Sequence, residues 1–170
     1  MATNVLVAYG GKYGSTEEIA HWIADTLNHN GVSAVARPAA VLESDPGQYD
    51  AVVLGGALYA GRWHHDARRF ARRHAKVLAT HPLWLFSSGP LDASAADKDL
   101  PPVKGVARLA ARLDARGHIT FGGRLEEGAK GRIARMIIQQ GRGGDFRDQQ
   151  QIHGWARGIA AELTADQPVA

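Results

Sequence analysis

The chain has no cysteine. Disulfides, thiolate zinc sites, cysteine-ligated iron–sulfur clusters and cysteine nucleophiles are therefore excluded. Long apolar runs are also missing. None approaches the ~20 residues of a bilayer-spanning helix, and the N-terminal stretch lacks a signal-peptide layout. These absences lead to the expectation of a cytoplasmic protein. No HExxH or facial-triad spacing occurs, so no metal site is expected. Ser87 does not stand in a GxSxG elbow, and no two carboxylates are spaced for glycosidase-like chemistry. There is no internal repeat, low-complexity tract or dividing linker. The 170 residues, 45% of them apolar, are expected to form one domain around one core, spanning 1–170.

The charge is small in sum and uneven in placement. Lys plus Arg is 20 against 17 acids, a formal net charge of +3. Residues 62–76 (RWHHDARRFARRHAK) hold Arg62, Arg68, Arg69, Arg72, Arg73 and Lys76 against Asp66 alone. Such a stretch can attract phosphate, nucleic acid or an anionic membrane. The plain reading is a solvated helix face. No helix-turn-helix, finger or RNA-binding signature accompanies it, so nucleic acid is not an expected partner.

Hydrophobic periodicity predicts buried strands over 4–9, 32–37, 50–55, 83–87 and 118–122. Helical patterns alternate with them over 17–30, 66–79, 103–115, 127–140 and 152–163. Ala67, Phe70, Ala71, His74 and Val77 form the inner side expected of the second helix. The segment GRGGDFRDQQQ (141–151) reads as a polar loop. The alternation implies right-handed crossovers and a five-stranded parallel sheet with helices on both faces. In such sheets a ligand sits beyond the carboxyl ends of the strands.

The first such end carries GGKYGST (10–16). Gly10, Gly11 and Gly14 would let the backbone approach an anion at a helix N-terminus. Ser15 and Thr16 offer hydroxyls, and Lys12 a counter-charge. The alternative is a tight turn in which Ser15, boxed with Glu18, or Thr16 caps the helix. The run ends in no Gly-Lys-Ser/Thr, so it is not a Walker loop, and it only approaches GxGxxG. After the third strand, GGALYAGRW offers Gly56 and Gly61 for close approach and Tyr59 and Trp63 as flat surfaces. After the fourth, Ser87, Ser88 and Gly89 offer N–H and hydroxyl groups. His64 reads as a helix cap or a solvent-facing group, with contact to substrate as the alternative.

The segments VAYGGKYGSTEEIA (7–20), YDAVVLGGALYAGRWHHDARRFARRH (49–74), LWLFSSGPLD (83–92), HITFGGRL (118–125) and RGGDFRDQQQIHGWARGIAAEL (142–163), in this order, resemble flavodoxin-like domains. They are most similar to the menaquinone-dependent protoporphyrinogen dehydrogenase family. The resemblance implies a flavodoxin-like three-layer sandwich that binds FMN. It implies that Gly10, Gly11, Lys12, Tyr13, Gly14, Ser15 and Thr16 hold the phosphate. Ala57, Leu58, Tyr59, Ala60, Gly61 and Arg62 would lie along one side of the flavin, and Ser87, Ser88 and Gly89 along the other. Many relatives carry Ser or Thr where this chain has Gly10 and Gly11. Two hydroxyl donors are thus missing, at a cost of ~1.5–3 kcal/mol each unless replaced.

The function expected from the resemblance is an FMN-binding oxidoreductase, passing electrons or hydride between a reduced substrate, protoporphyrinogen among them, and a quinone. No side chain is needed as a nucleophile. A flavodoxin-type electron carrier, an NAD(P)H-linked flavin or quinone reductase, and a regulatory protein without flavin remain alternatives. The basic apolar segment 128–140 would cover a quinone pocket, meet an anionic membrane, form a homodimer contact or pack on the sheet.

Overall fold

The computed structural model describes residues 3–12, 14–41, 45–89, 100–125 and 144–167. Strand β1 (Asn4–Gly10) alternates its side chains between two buried faces. Val5, Val7 and Tyr9 join one core cluster, and Leu6 and Ala8 join another. This two-sided burial explains a nearly unbroken apolar run. Helix α1 (Ser15–His29) packs Ile19, Ala20, Ile23, Ala24 and Leu27 into the first cluster. It ends where Gly31 takes φ +81° and Val32 N–H reaches back to the Leu27 carbonyl at 3.0 Å.

Strands β2 (Ser33–Pro38), β3 (Ala51–Tyr59), β5 (Leu83–Ser88) and β6 (Gly117–Phe121) complete the parallel sheet, in the order β2-β1-β3-β5-β6. All four junctions are parallel, in register from Val5 opposite Ala51 to Leu85 opposite His118. Helices α1 and α5 (Gln149–Ala165) cover one face. Helices α2 (His65–Arg73), α3 (Ala75–Leu78) and α4 (Lys104–Arg112) cover the other. This is the expected three-layer sandwich. The chain reverses its winding between β1 and β3, which opens a crevice at their carboxyl ends. Among the described residues, no helix is long and apolar enough to cross a membrane.

Several expectations are corrected. Strand β3 does not stop at Gly55. It runs to Tyr59 and turns into β4 (Arg62–Trp63), with Tyr59 opposite Arg62. Ala60 and Gly61 have φ +50° and +75°, the two positive values that a tight hairpin matching strand twist requires. The helix expected over 66–79 breaks at His74, whose φ/ψ of −109°/20° leaves the helical well. The break turns Leu78 rather than Val77 into the core, while the His74 ring rests on Phe70 at 4.7 Å.

Nor is the polar segment before α5 all loop. Gly144–Asp145 forms β8, antiparallel to β7 (Arg124–Leu125). Helix α5 also begins three residues early, because Asp148 accepts hydrogen bonds from the Gln150 and Gln151 amides. The expected helix over 127–140 lies outside the described residues.

Candidate functional site

The crevice is walled by the segment after β1, the β3–β4 hairpin and the end of β5. The expected cap of α1 is absent. Its N-cap is Gly14 at φ +83°, and no side chain bonds the helix start. Ser15 and Thr16 stand inside the first turn, both buried. The first intrahelical bond runs from Glu18 N–H to the Gly14 carbonyl at 3.1 Å. The amides of Ser15, Thr16 and Glu17 precede it and have no helical acceptor. They carry the positive end of a helix of 15 residues.

The hydroxyls of the first turn are used as stitches. Thr16 Oγ1 lies 2.8 Å from Ser88 Oγ and ties α1 to the end of β5. Ser15 Oγ accepts from the Arg124 amide at 3.2 Å. A side chain at Gly11 would put its Cβ 2.8 Å from Thr16 Oγ1, so only glycine leaves this floor open. Gly10 serves packing instead: a Cβ there would lie 2.6 Å from the backbone nitrogen of Ala67 in α2. Lys12 is exposed, and its amide donates to the Tyr59 hydroxyl at 3.2 Å. Tyr13 lies outside the described residues.

In the hairpin, Ala57 is buried and Leu58 half-buried, while Tyr59, Ala60, Gly61 and Arg62 are exposed. Tyr59 is the exposed large aromatic of this wall, with its ring edge-on to His64 at 5.9 Å. Trp63 is no wall. It is buried against Gly56, where a Cβ would meet the indole at 2.6 Å. Its Nε1–H donates to Ser87 Oγ at 2.8 Å, and Ser87 Oγ also lies 3.0 Å from His118 Nε2. The expectation of exposed donors after β5 is therefore corrected. Ser87 and Ser88 are buried and engaged, and the Gly89 amide donates to the Phe121 carbonyl at 3.1 Å.

Two features at the crevice were not anticipated from the sequence. Arg124 leans over the start of α1: its Nη2 lies 2.7 Å from Glu18 Oε1 and beside Gly14. It is held there by the β7–β8 ladder and by Arg147. That guanidinium forks onto Asp145 (Nε–Oδ1 2.9 Å, Nη2–Oδ2 2.9 Å), reaches Glu18 at 3.2 Å and stacks over Trp22 at 4.6 Å. The fork from Arg147 holds the Asp145 carboxyl below its ordinary value. No spacing in the chain foretold that residues 18, 124 and 147 would meet.

The second is a group formed by His64, His65 and Asp66, whose potential ligand atoms lie within 4.8 Å of one another. His64 Nδ1 there accepts from the Asp66 amide at 3.2 Å, so the ring caps α2 as expected. Burial lowers the His64 pKa below 6.5, against an opposing pull from Asp66.

A parallel doubly wound sheet with an uncapped helix start and a glycine floor at its switch point defines a three-layer α/β protein with a walled crevice at the carboxyl ends of its strands. The model of the flavodoxin domain matches residues 6–143, and the chain belongs to that family. The protoporphyrinogen IX dehydrogenase [quinone] of Escherichia coli K12 is 31% identical over 104 residues, covering 61% of this chain and 57% of the relative. The alignment thus spans little more than half of that curated protein. Among solved structures, a mutant flavodoxin from Pseudomonas aeruginosa superposes with TM-score 0.64 at 17% identity, covering 95% of this chain and 99% of that one. The rubredoxin oxygen:oxidoreductase of Desulfovibrio gigas superposes at 0.65 with 14% identity, covering 95% and 36%. At such identities these two likenesses speak for the fold.

Proposed function

We propose that this chain is an FMN-linked electron-transfer protein, with the phosphate seated on the first turn of α1. The observation that carries the reading is the uncapped helix start, where the Ser15, Thr16 and Glu17 amides have no helical acceptor. The glycine floor fits a phosphate: a Cβ at Gly11 would fill the space. Arg124 supplies a charge beside Gly14 that stands in for the hydroxyls absent at Gly10 and Gly11. A guanidinium–phosphate contact recovers the free energy of such lost bonds, about 1.5–3 kcal/mol.

Bound FMN would supply one- and two-electron chemistry, and the protein's part is to hold and surround it. Lys12 and Gly14 continue the phosphate seat. Leu58, Tyr59, Ala60, Gly61 and Arg62 form one wall, with Tyr59 as its flat surface. Ser87, Ser88 and Gly89 brace the opposite side from behind, through Trp63, Thr16 and Phe121 respectively. The Lys12–Tyr59 hydrogen bond closes the loop over the seat and must open for the phosphate to use that amide.

The test is a visible spectrum and an FMN titration of the purified chain. Flavin bands that coelute with protein, quenched flavin fluorescence and a raised Tm are expected. A colourless protein with an unmoved Tm at saturating FMN overturns the reading. Electron carriage is the coarse role. The similarity to the Escherichia coli enzyme favours a finer one, oxidation of protoporphyrinogen with a quinone as acceptor. Anaerobic mixing decides: protoporphyrinogen bleaching the flavin, and a quinone restoring it, supports the finer role. Bleaching by NADPH alone moves the protein to the reductase reading.

A further inference from the structure

On the other face, α2 and α4 leave a groove of about 630 Å³ between them. This lies within the ~300–1,000 Å³ of small-molecule sites. Its floor is apolar, formed by Trp63, Ala71, Val106 and Leu109, all buried. Its rim is cationic: Arg62, Arg68, Arg72, Lys104, Arg108 and Arg112. Among the described residues no acid lines it, and none of the six is in an ion pair.

The placement is regular. Lys104, Arg108 and Arg112 follow one another at four-residue spacing along one ridge of α4. Arg68 and Arg72 do the same on α2. Like charges four apart on a helix repel. Two such ridges facing each other across an apolar floor add repulsion across the groove. Arg69 and Arg73 lie off this lining, so the groove has its own confined charge. Of its six cations only Arg68 shows a fixed role among the described residues, donating from Nε to the Trp63 carbonyl at 3.0 Å. The exposed remainder are set to receive an anion from outside.

We propose that this groove is a second binding site, for a nucleoside polyphosphate. Arginine forks suit phosphate oxygens bidentately, from both sides at once. The apolar floor suits a planar base, and the volume suits one nucleotide. Gly61 and Arg62, which also belong to the hairpin of the crevice, are among its lining. The site does not depend on FMN being bound.

The experiment is a calorimetric titration of the full chain with ATP, AMP and inorganic pyrophosphate at low and at 0.15 M salt. ATP is expected to bind saturably at one equivalent, with AMP at least about tenfold weaker and pyrophosphate between them. R72E and R108E, both at exposed positions, should each weaken ATP about tenfold or more, and R72K and R108K much less. FMN titration of the same variants should change less than about twofold, which separates this site from the one at α1. Absent ATP binding, or ATP affinity indifferent to both charge reversals with Tm retained, overturns the proposal. So does a preference for duplex DNA or poly-glutamate that grows with polymer length at 0.15 M salt.

Discussion

The two faces of the sheet both carry arginines, and they treat them in opposite ways. On the α1–α5 face, Arg124 and Arg147 meet Glu18 and Asp145, and Arg147 is 5% exposed in its side chain. On the α2–α4 face, six cations ring a groove that, among the described residues, no acid enters. In the first case the charge is consumed within the molecule, fastening the β7–β8 ladder to α1 so that Arg124 leans over the helix start. In the second, among the described residues, no carboxylate takes it up. Cation number alone does not separate these uses. Burial and the distance to the nearest carboxylate do.

The largest expected effect comes from cutting the fastened side at its centre. Arg147→Ala removes the fork onto Asp145, the reach to Glu18 and the stack on Trp22. Pairs with both members buried cost about 3–5 kcal/mol to break, and Asp145 is half-exposed, so a loss of about 2–3 kcal/mol is expected in urea denaturation. Arg147→Lys should recover less than half, because an ammonium cannot fork. A loss below about 0.5 kcal/mol would show that the ladder holds without its clamp.

Next is the link from clamp to crevice. Arg124→Gln should weaken FMN binding about tenfold to a hundredfold with little loss of stability. In Arg147→Ala the FMN affinity should fall in the same direction, since Arg124 loses its support. Unchanged affinity in both variants would detach this face from the crevice and leave the α1 amides to act alone.

The fold was legible because its signals are local. β1 and β3 read as strands from runs buried on both faces, and α1 from the spacing of Ile19, Ile23 and Leu27. The glycines and hydroxyls of 10–16 were legible as a set, but their division of labour was not. Gly10 answers to Ala67, Ser15 to Arg124 and Thr16 to Ser88, partners 57, 109 and 72 positions further along the chain. Trp63 looked like a surface for a ring, yet Gly56 and Ser87 draw it inside. The hairpin was missed although Ala60–Gly61 is its turn, because alanine at φ +50° is a conformation that composition does not announce. Ion-pair partners 106 and 129 residues apart along the chain cannot be read from spacing at all.

Acid should separate the faces further. His64 and His74, on the α2 side, are both held below 6.5, chiefly by burial. A folded-state value below the unfolded one means that the unfolded chain takes up protons first. Their contribution is complete above about pH 6.5 and is lost as pH falls through the lowered values. Asp145, on the α1 side, is held below 3.8 by Arg147, so its contribution is lost only as pH falls below that. Two acid limbs in urea stability against pH are the expected result. His64→Asn keeps a cap for α2 and should reduce the upper limb to the share of His74 while leaving the lower one. Arg147→Ala should do the reverse.

The smallest effect has an unusual sign. Arg108→Gln on the groove side removes one of three like charges on a single ridge of α4. At low salt the variant should be more stable by about 0.2–0.5 kcal/mol, and the gain should fade as salt screens the ridge. Most exposed substitutions do nothing or harm. A gain here would mean that the free protein carries these charges at a cost, which is what a surface kept for an outside anion entails. Equal or lower stability at low salt would mean that the ridge is already neutralised within the chain. The contrast between the two faces would then be one of exposure rather than of use.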